Sequence, residues 1–180
     1  MNRNIAEPFA VWITGLPASG KSTVATALAG QLRQLGIPLS VLESDAMRKY
    51  FSDEPSYDEQ DREYFYASLA FIGRVLTDHG IAVIFDATAN RRSYRDRARR
   101  EIPRFIEVFV DSPLEICMRR DPKGIYRKAR AGKATEVPGI QAVYEPPERA
   151  EVVVHGDRDP DEAARKIIDV LAGKGFLGGV

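Results

Sequence analysis

The residues with the plainest chemistry are Gly15-Leu16-Pro17-Ala18-Ser19-Gly20-Lys21-Ser22-Thr23, a complete G-x-x-x-x-G-K-[ST] run. An apolar stretch at 9–13 precedes it and a helical pattern at 24–29 follows, which is the strand-loop-helix setting such a loop requires. The glycines let the chain curl so that successive N–H groups point inward, and the start of the following helix reinforces that cage for phosphate oxygens. Lys21 is then placed to reach the β and γ phosphates of a nucleoside triphosphate, and the Ser22 hydroxyl to take one position on Mg²⁺. ATP and Mg²⁺ are therefore the expected cofactors. The loop does not say what receives the phosphate.

Carboxylates come next. Asp86 ends the apolar run 81–85, and Glu43 and Asp45 follow the shorter run 38–42. An apolar strand ending in Asp beside a phosphate loop is the usual direct or outer partner of Mg²⁺, which makes Ser22, Asp45 and Asp86 the candidate metal set. Asp45 is further expected to orient, or take the proton from, an attacking hydroxyl. The plainer alternatives are helix caps: Asp86 alone, or Ser44 and Asp45 ahead of a short helix beginning near Ala46. Between 119 and 151 the chain is dense in cations, with Arg120, Lys123, Arg127 and Lys128 among them, and poor in apolar residues. Such a stretch is expected to lie outside the core as a mobile lid that closes over anionic substrates and excludes water. A solvated surface helix is the alternative.

The elements that must position these groups alternate. Strands are expected near 9–13, 38–42, 81–85, 105–110 and 152–154. Helices are expected from about 21 to 35, 59 to 79, 93 to 101, 113 to 119 and 160 to 171. The run 81–85 is almost continuously apolar, as in a central parallel strand covered on both faces. Five strands separated by helices predict an α/β fold, a three-layer, doubly wound parallel sheet with its site at the carboxyl ends of the strands.

Composition sets the bounds. A chain of 180 residues, 44% hydrophobic, suits one domain with one well-buried core. Lys plus Arg and Asp plus Glu both number 26, so no overall field holds nucleic acid or an anionic membrane. One cysteine cannot form an internal disulfide, residues 1–8 lack the apolar core of a signal peptide, and no apolar run could span a bilayer. A soluble cytoplasmic protein is expected. Trp12 and Cys117 read as core, His79 as a helix end, the turn 155–159 as a neighbour of the nucleotide base, and 173–180 as a loose tail.

Arg120-Asp-Pro-Lys-Gly-Ile-Tyr-Arg-Lys-Ala-Arg-Ala-Gly132, with the strand 105–110 and Tyr144-Glu-Pro-Pro-Glu148, resembles the adenylyl-sulfate kinases, and the likeness runs from about 9 to 151. It implies a P-loop kinase fold with a basic lid and transfer of the γ-phosphate of MgATP to the 3′-hydroxyl of adenylyl sulfate, giving 3′-phosphoadenylyl sulfate in sulfate assimilation. It also implies a homodimer. The family's D-G-D-N-x-R reads Glu43-Ser44-Asp45-Ala46-Met47-Arg48 here, keeping the second carboxylate and the arginine. By the same resemblance Arg62 is a second arginine for the sulfate-bearing substrate and Tyr57 one wall of its adenine pocket. Lys123 and Lys128 fall at lid positions near the phosphates. With Lys21, Asp45 and Asp86, Lys123 completes the expected catalytic set, while Arg120 and Arg127 join the phosphate loop in holding ATP.

The departures gather where the acceptor would sit. F-I-S-P-Y is replaced by Ala87-Thr-Ala-Asn-Arg91, which puts Ala89 in place of a serine. F-T-G-I-D becomes Val137-Pro-Gly-Ile-Gln141, so Val137 stands for an aromatic wall. Phe65 and Ala46 stand where asparagines are expected. Thr88 and Ile140, from these two altered segments, complete the candidate acceptor contacts. Three readings stay open. One is a kinase of adenylyl sulfate or another small anionic nucleotide, such as a cytidine diphosphate derivative, or of a small hydroxyl compound. A second is a GTP-dependent switch, for which Asp121-Pro-Lys-Gly124 matches D-x-x-G but no N-K-x-D exists. The third is a kinase of nucleic-acid ends, supported by arginines at 91, 92, 95, 97, 99, 100 and 104. A solvated helix face is the expected account of those arginines, so nucleic acid is not the expected partner.

Overall fold

A computed structural model describes residues 7–52 and 56–178. Residues 1–6, where no signal core is expected, and 179–180, the end of the expected tail, lie outside the described residues. Five strands, β1 (Ala10–Thr14), β2 (Leu39–Glu43), β3 (Ala82–Asp86), β4 (Phe105–Asp111) and β5 (Val152–His155), form one all-parallel sheet in the order β2-β3-β1-β4-β5. The helices are α1 (Lys21–Gln34), α2 (Ser44–Phe51), α3 (Glu59–Asp78), α4 (Arg92–Glu101), α5 (Leu114–Arg120), α6 (Ile125–Arg130) and α7 (Pro160–Gly173). This is the expected doubly wound α/β architecture. Among the described residues, no helix is long and apolar enough to cross a membrane.

Alternation along the strands divides the core in two, because successive side chains leave opposite faces of a sheet. Val11, Ile13, Ile84 and Val108 face Leu28 and Leu32 of α1 and Ile167 and Leu171 of α7. Ala10, Trp12, Val83 and Phe85 face Phe65 and Leu69 of α3 and Tyr94 and Ala98 of α4. Trp12 stacks on Phe85 with centroids 4.4 Å apart, and its indole N–H donates to the Ala87 carbonyl at 3.1 Å. Helix α3 lies on that pair through Gly73, where a Cβ would stand 2.1 Å from the Phe85 Cζ. In register, Ile13 pairs with Asp86 and Asp86 with Glu43, so the three strands around the phosphate loop end side by side.

Three expectations, in whole or in part, and one alternative reading fail. The 119–151 segment carries its own small core, in which Tyr126, Ala129 and Val137 pack with Cys117 beneath Leu16 and Leu114. Sparse apolar residues among cations hid it, and hid α6. Helix α2 begins at Ser44 and is capped by the Glu43 carboxylate, which accepts from the Asp45 and Ala46 N–H groups, so neither Ser44 nor Asp45 is the cap. The tail is tied down as far as 178, since Phe176 stacks on Phe9 and Leu177 is buried. Among the arginines of α4 and its flanks the solvated-face reading fails at Arg95 alone; the others keep side chains open to water. Arg95, 1% exposed, bonds Glu107 at 2.5 Å, and Arg91, Arg92, Arg97, Arg99 and Arg104 each pair with a glutamate.

Candidate active site

The phosphate loop leaves β1 through Gly15 at φ +156° and enters α1 through Gly20 at φ +107°, a region that disfavours side chains. A Cβ on Gly20 would come within 3.1 Å of the Gly156 carbonyl, so the loop is packed against the turn that follows β5. Arg120 braces the same turn by donating to that carbonyl at 3.0 Å. Lys21 curls back to donate to the Leu16 carbonyl at 2.8 Å. Burial lowers its pKa, and the negative charges of Asp86 and Asp45 work against that shift. Burial raises the Asp86 pKa, opposed by a hydrogen bond from Ser22 and by the Lys21 charge. A buried lysine and a buried carboxylate thus meet at the ends of β1 and β3, with the exposed Ser22 hydroxyl beside them. Asp86 caps no helix.

These residues fit the groups that the loop motif implies. The Ser19 hydroxyl is buried against Gly15 with no hydrogen-bond partner among the described residues, leaving one polar atom of the loop unsatisfied. Ser22 and Asp86 offer hard oxygens of the kind Mg²⁺ takes when substrate phosphates and waters complete its shell. A cavity of about 370 Å³ opens over them, lined by Lys21, Ser22, Thr23, Asp45, Asp86 and Arg120.

A larger cavity of about 870 Å³ adjoins it, lined by Arg48, Tyr57, Arg62, Tyr66, Lys128 and Val137. Asp45, Thr88 and Lys123 line both. With Glu43 occupied as the cap, Asp45 turns to the cleft and takes Lys123 Nζ at 2.5 Å, a bond that raises the Lys123 pKa. Arg48 donates to Asp61 at 2.9 Å. Arg62 is more constrained. Its guanidinium donates to the Tyr57 carbonyl at 2.6 Å, to Asn90 Oδ1 at 2.7 Å and to the Glu136 carbonyl, so it holds the larger cavity's walls together. Burial moves the Tyr57 pKa up.

Five expected residues line neither cavity: Gly15, Leu16 and Ser19 of the phosphate loop, and Arg127 and Ile140. Ile140 lies exposed in the 137–142 turn and lines neither cavity. Arg127 also lines neither, because α6 turns it back so that its guanidinium lies over Gly124. Leu16 contributes its carbonyl to Lys21 but sends its side chain into the lid core. Sequence reasoning missed Asn90, whose amide joins Arg62 to the Val143 carbonyl, and the bond from Tyr144 to Thr14 that seats the end of the lid. Burial pushes the Tyr144 pKa up to about 12. The one available signal was Glu107, a lone carboxylate inside an apolar strand that had to have a buried partner, as Arg95 proves to be.

The competing readings lose their residues. Asp121 of the D-x-x-G match accepts from the Tyr126 and Arg127 N–H groups and so starts α6. Of the arginines that would hold a nucleic-acid end, Arg95 is spent on the buried Glu107 and the rest, Arg100 excepted, each stand beside a glutamate at the surface.

Residues 7–155 match the family model described as adenylylsulphate kinase. An adenylyl-sulfate kinase of Synechococcus sp. (strain JA-3-3Ab) is 41% identical over 93% of this chain and 96% of its own length. A probable adenylyl-sulfate kinase of Pyrococcus abyssi is 37% identical over 95% and 99%. Among solved structures, the APS kinase of Mycobacterium tuberculosis in complex with AMPPNP and APS superposes with a TM-score of 0.87 at 37% identity, covering 92% of this chain and 98% of that one. With the phosphate loop, the cationic 119–151 segment and every residue lining the two cavities except Gly156 inside the matched span, this chain belongs to the adenylylsulphate kinase family.

Proposed function

We propose that this protein transfers the γ-phosphate of ATP to the 3′-hydroxyl of adenylyl sulfate, giving 3′-phosphoadenylyl sulfate and ADP. Family membership supports the reaction, and one observation carries its placement: Asp45 and Lys123 stand in the wall common to the phosphate-loop cavity and the larger basic cavity. A phosphoryl group passing between two bound substrates must cross that wall.

The protein's part is positioning and charge. The loop amides and Lys21 grip the β and γ phosphates, with Gly15 and Gly20 giving the loop the curl that needs. Ser22 and Asp86 would hold Mg²⁺, which when bound neutralises charge on the phosphates. Asp45 takes the proton of the acceptor hydroxyl once Lys123 leaves it for the phosphates, so the present ion pair is the resting form of the catalytic one. Arg48 binds the acceptor's anionic end in the plane of its guanidinium, and Arg62 keeps Tyr57, Asn90 and the lid around it. Lys128 and Arg120 add positive charge as the segment 119–151 closes, and the closed lid keeps water from the γ-phosphate. The resemblance extends the proposal to a homodimer, and the composition to the cytoplasm.

The test is ADP release coupled to NADH oxidation, with adenylyl sulfate set against a panel of other nucleotides, cytidine diphosphate derivatives and short oligonucleotides. Adenylyl sulfate is expected to give the highest kcat/KM. Release no faster than with ATP alone, alongside brisk turnover of another acceptor, would overturn the assignment. The changes at Val137, Ala89 and Ala46 make that comparison informative, since losing one stacked aromatic wall costs on the order of 1–3 kcal/mol of base binding.

A further inference from the structure

We infer that Phe65 is a positioning residue of the acceptor site, acting through Arg48; the inference rests on the role proposed above for that arginine. Phe65 does not line the cavity. It is 1% exposed within the α3 face of the core, and the Arg48 guanidinium carbon sits 4.0 Å from its ring centroid. The Tyr57 ring lies 4.8 Å from the same carbon and the Tyr66 ring 5.6 Å. Phe65 is itself held edge-on, by Phe51 at 5.5 Å and 85° and by Tyr66 at 5.2 Å and 69°. The ring beneath Arg48 is therefore fixed on several sides.

The chemistry of the stack is complementary to that of anion binding. A guanidinium is attracted to an aromatic ring through its flat face, whereas its hydrogen bonds leave in its own plane. Phe65 thus sets the plane of Arg48 without using a single N–H, and Asp61, bonded at 2.9 Å, sets the rotation within that plane. A polar side chain at 65, such as the asparagine that the family resemblance leads one to expect there, would instead compete for the in-plane donors. Arg48 is only 6% exposed yet lines the larger cavity, so its remaining in-plane edge is the part that an acceptor meets. This support also explains how a buried cation survives with, among the described residues, one carboxylate partner that is itself partly exposed.

The experiment is a double-mutant cycle read in steady-state kinetics with ATP and adenylyl sulfate. Phe65→Leu and Phe65→Met each remove the ring face, and Met keeps the buried volume in case Leu folds poorly. Both are expected to raise KM for adenylyl sulfate about threefold to thirtyfold, the range of a partly desolvated cation–π contact, with KM for ATP unchanged. In an Arg48→Ala background the same changes are expected to add nothing. An equal rise in both backgrounds, a rise shared by ATP, or no rise from either variant would overturn the inference. Arg48→Ala separates the two claims: if it raises the adenylyl sulfate KM while the Phe65 variants do not, only Phe65's role falls. If it leaves that KM unchanged, Arg48's own role falls and takes Phe65's with it.

Discussion

Lys21 and Lys123 carry the same charge within one site but stand in opposite environments. Lys21 is buried, with its ammonium on a main-chain carbonyl and its pKa lowered by desolvation. Lys123 is more than half exposed and paired with Asp45, so screening by water keeps that bond to about 0–1 kcal/mol of stability. Charge at the transferring phosphate matters far more to rate than either contact matters to the fold, because it acts on a transition state in a water-poor cleft. Lys123→Ala should therefore lower kcat by roughly a hundredfold while the melting temperature moves by less than about 4 °C. Lys21→Ala should abolish measurable turnover. Coupled ADP release and a thermal melt on each variant check the pair, and a Lys123→Ala enzyme with near-normal kcat would remove that residue from the mechanism.

At the scale of elements, the phosphate loop was legible because its motif fixes residue types at fixed spacing, and the strands because burial on both faces leaves runs such as Ala82-Val-Ile-Phe85 with no polar interruption. What escaped depends on partners distant in sequence. Tyr126 looks like one more residue in a cationic stretch until its hydroxyl is seen to donate to the Pro17 carbonyl, 109 positions away. Arg95 looks like a solvated helix residue until β4 brings Glu107 beneath it. The glycines show the same dependence on context. Gly30 lies in α1 with nothing within 4 Å of a Cβ, whereas Gly73 lies in α3 with the Phe85 ring 2.1 Å from one. Gly30→Ala should therefore stabilise the protein by about 0.5–1 kcal/mol through backbone entropy alone. Gly73→Ala should destabilise it by about 1–3 kcal/mol, since the added methyl must push Phe85 off Trp12. Urea unfolding of the two variants should give shifts of opposite sign. Matching shifts would mean that the contact between Gly73 and the Phe85 ring does not limit how α3 packs on β3.

Across the whole molecule, formal charge sums to zero, yet it is not evenly spent. The arginines of α4 and its flanks are balanced against glutamates of α3, β4 and the end of the 119–151 segment, while Arg48, Lys49, Arg62, Lys123, Lys128 and Lys133 converge on one cavity whose carboxylates, among the described residues, are Asp45 and Glu136 in the lining and Asp61 behind Arg48. Small anions should thus bind without any general affinity for polyanions. Ligand that binds only the folded state stabilises it by mass action, about 2.7 kcal/mol at a concentration of 100 Kd. For a chain of this length that amounts to a melting rise of roughly 5–11 °C. AMPPNP with Mg²⁺ should produce a rise of that size in the native protein and little in Lys21→Ala. Adenylyl sulfate should produce one that Arg48→Ala diminishes. A single-stranded oligonucleotide should produce none at either low or high salt, because polyanion binding would require a steep loss with salt through counterion release. A salt-sensitive rise with the oligonucleotide would mean that the glutamate pairs of α4 open to admit nucleic acid, and the small-anion specificity argued from the basic cavity would fail.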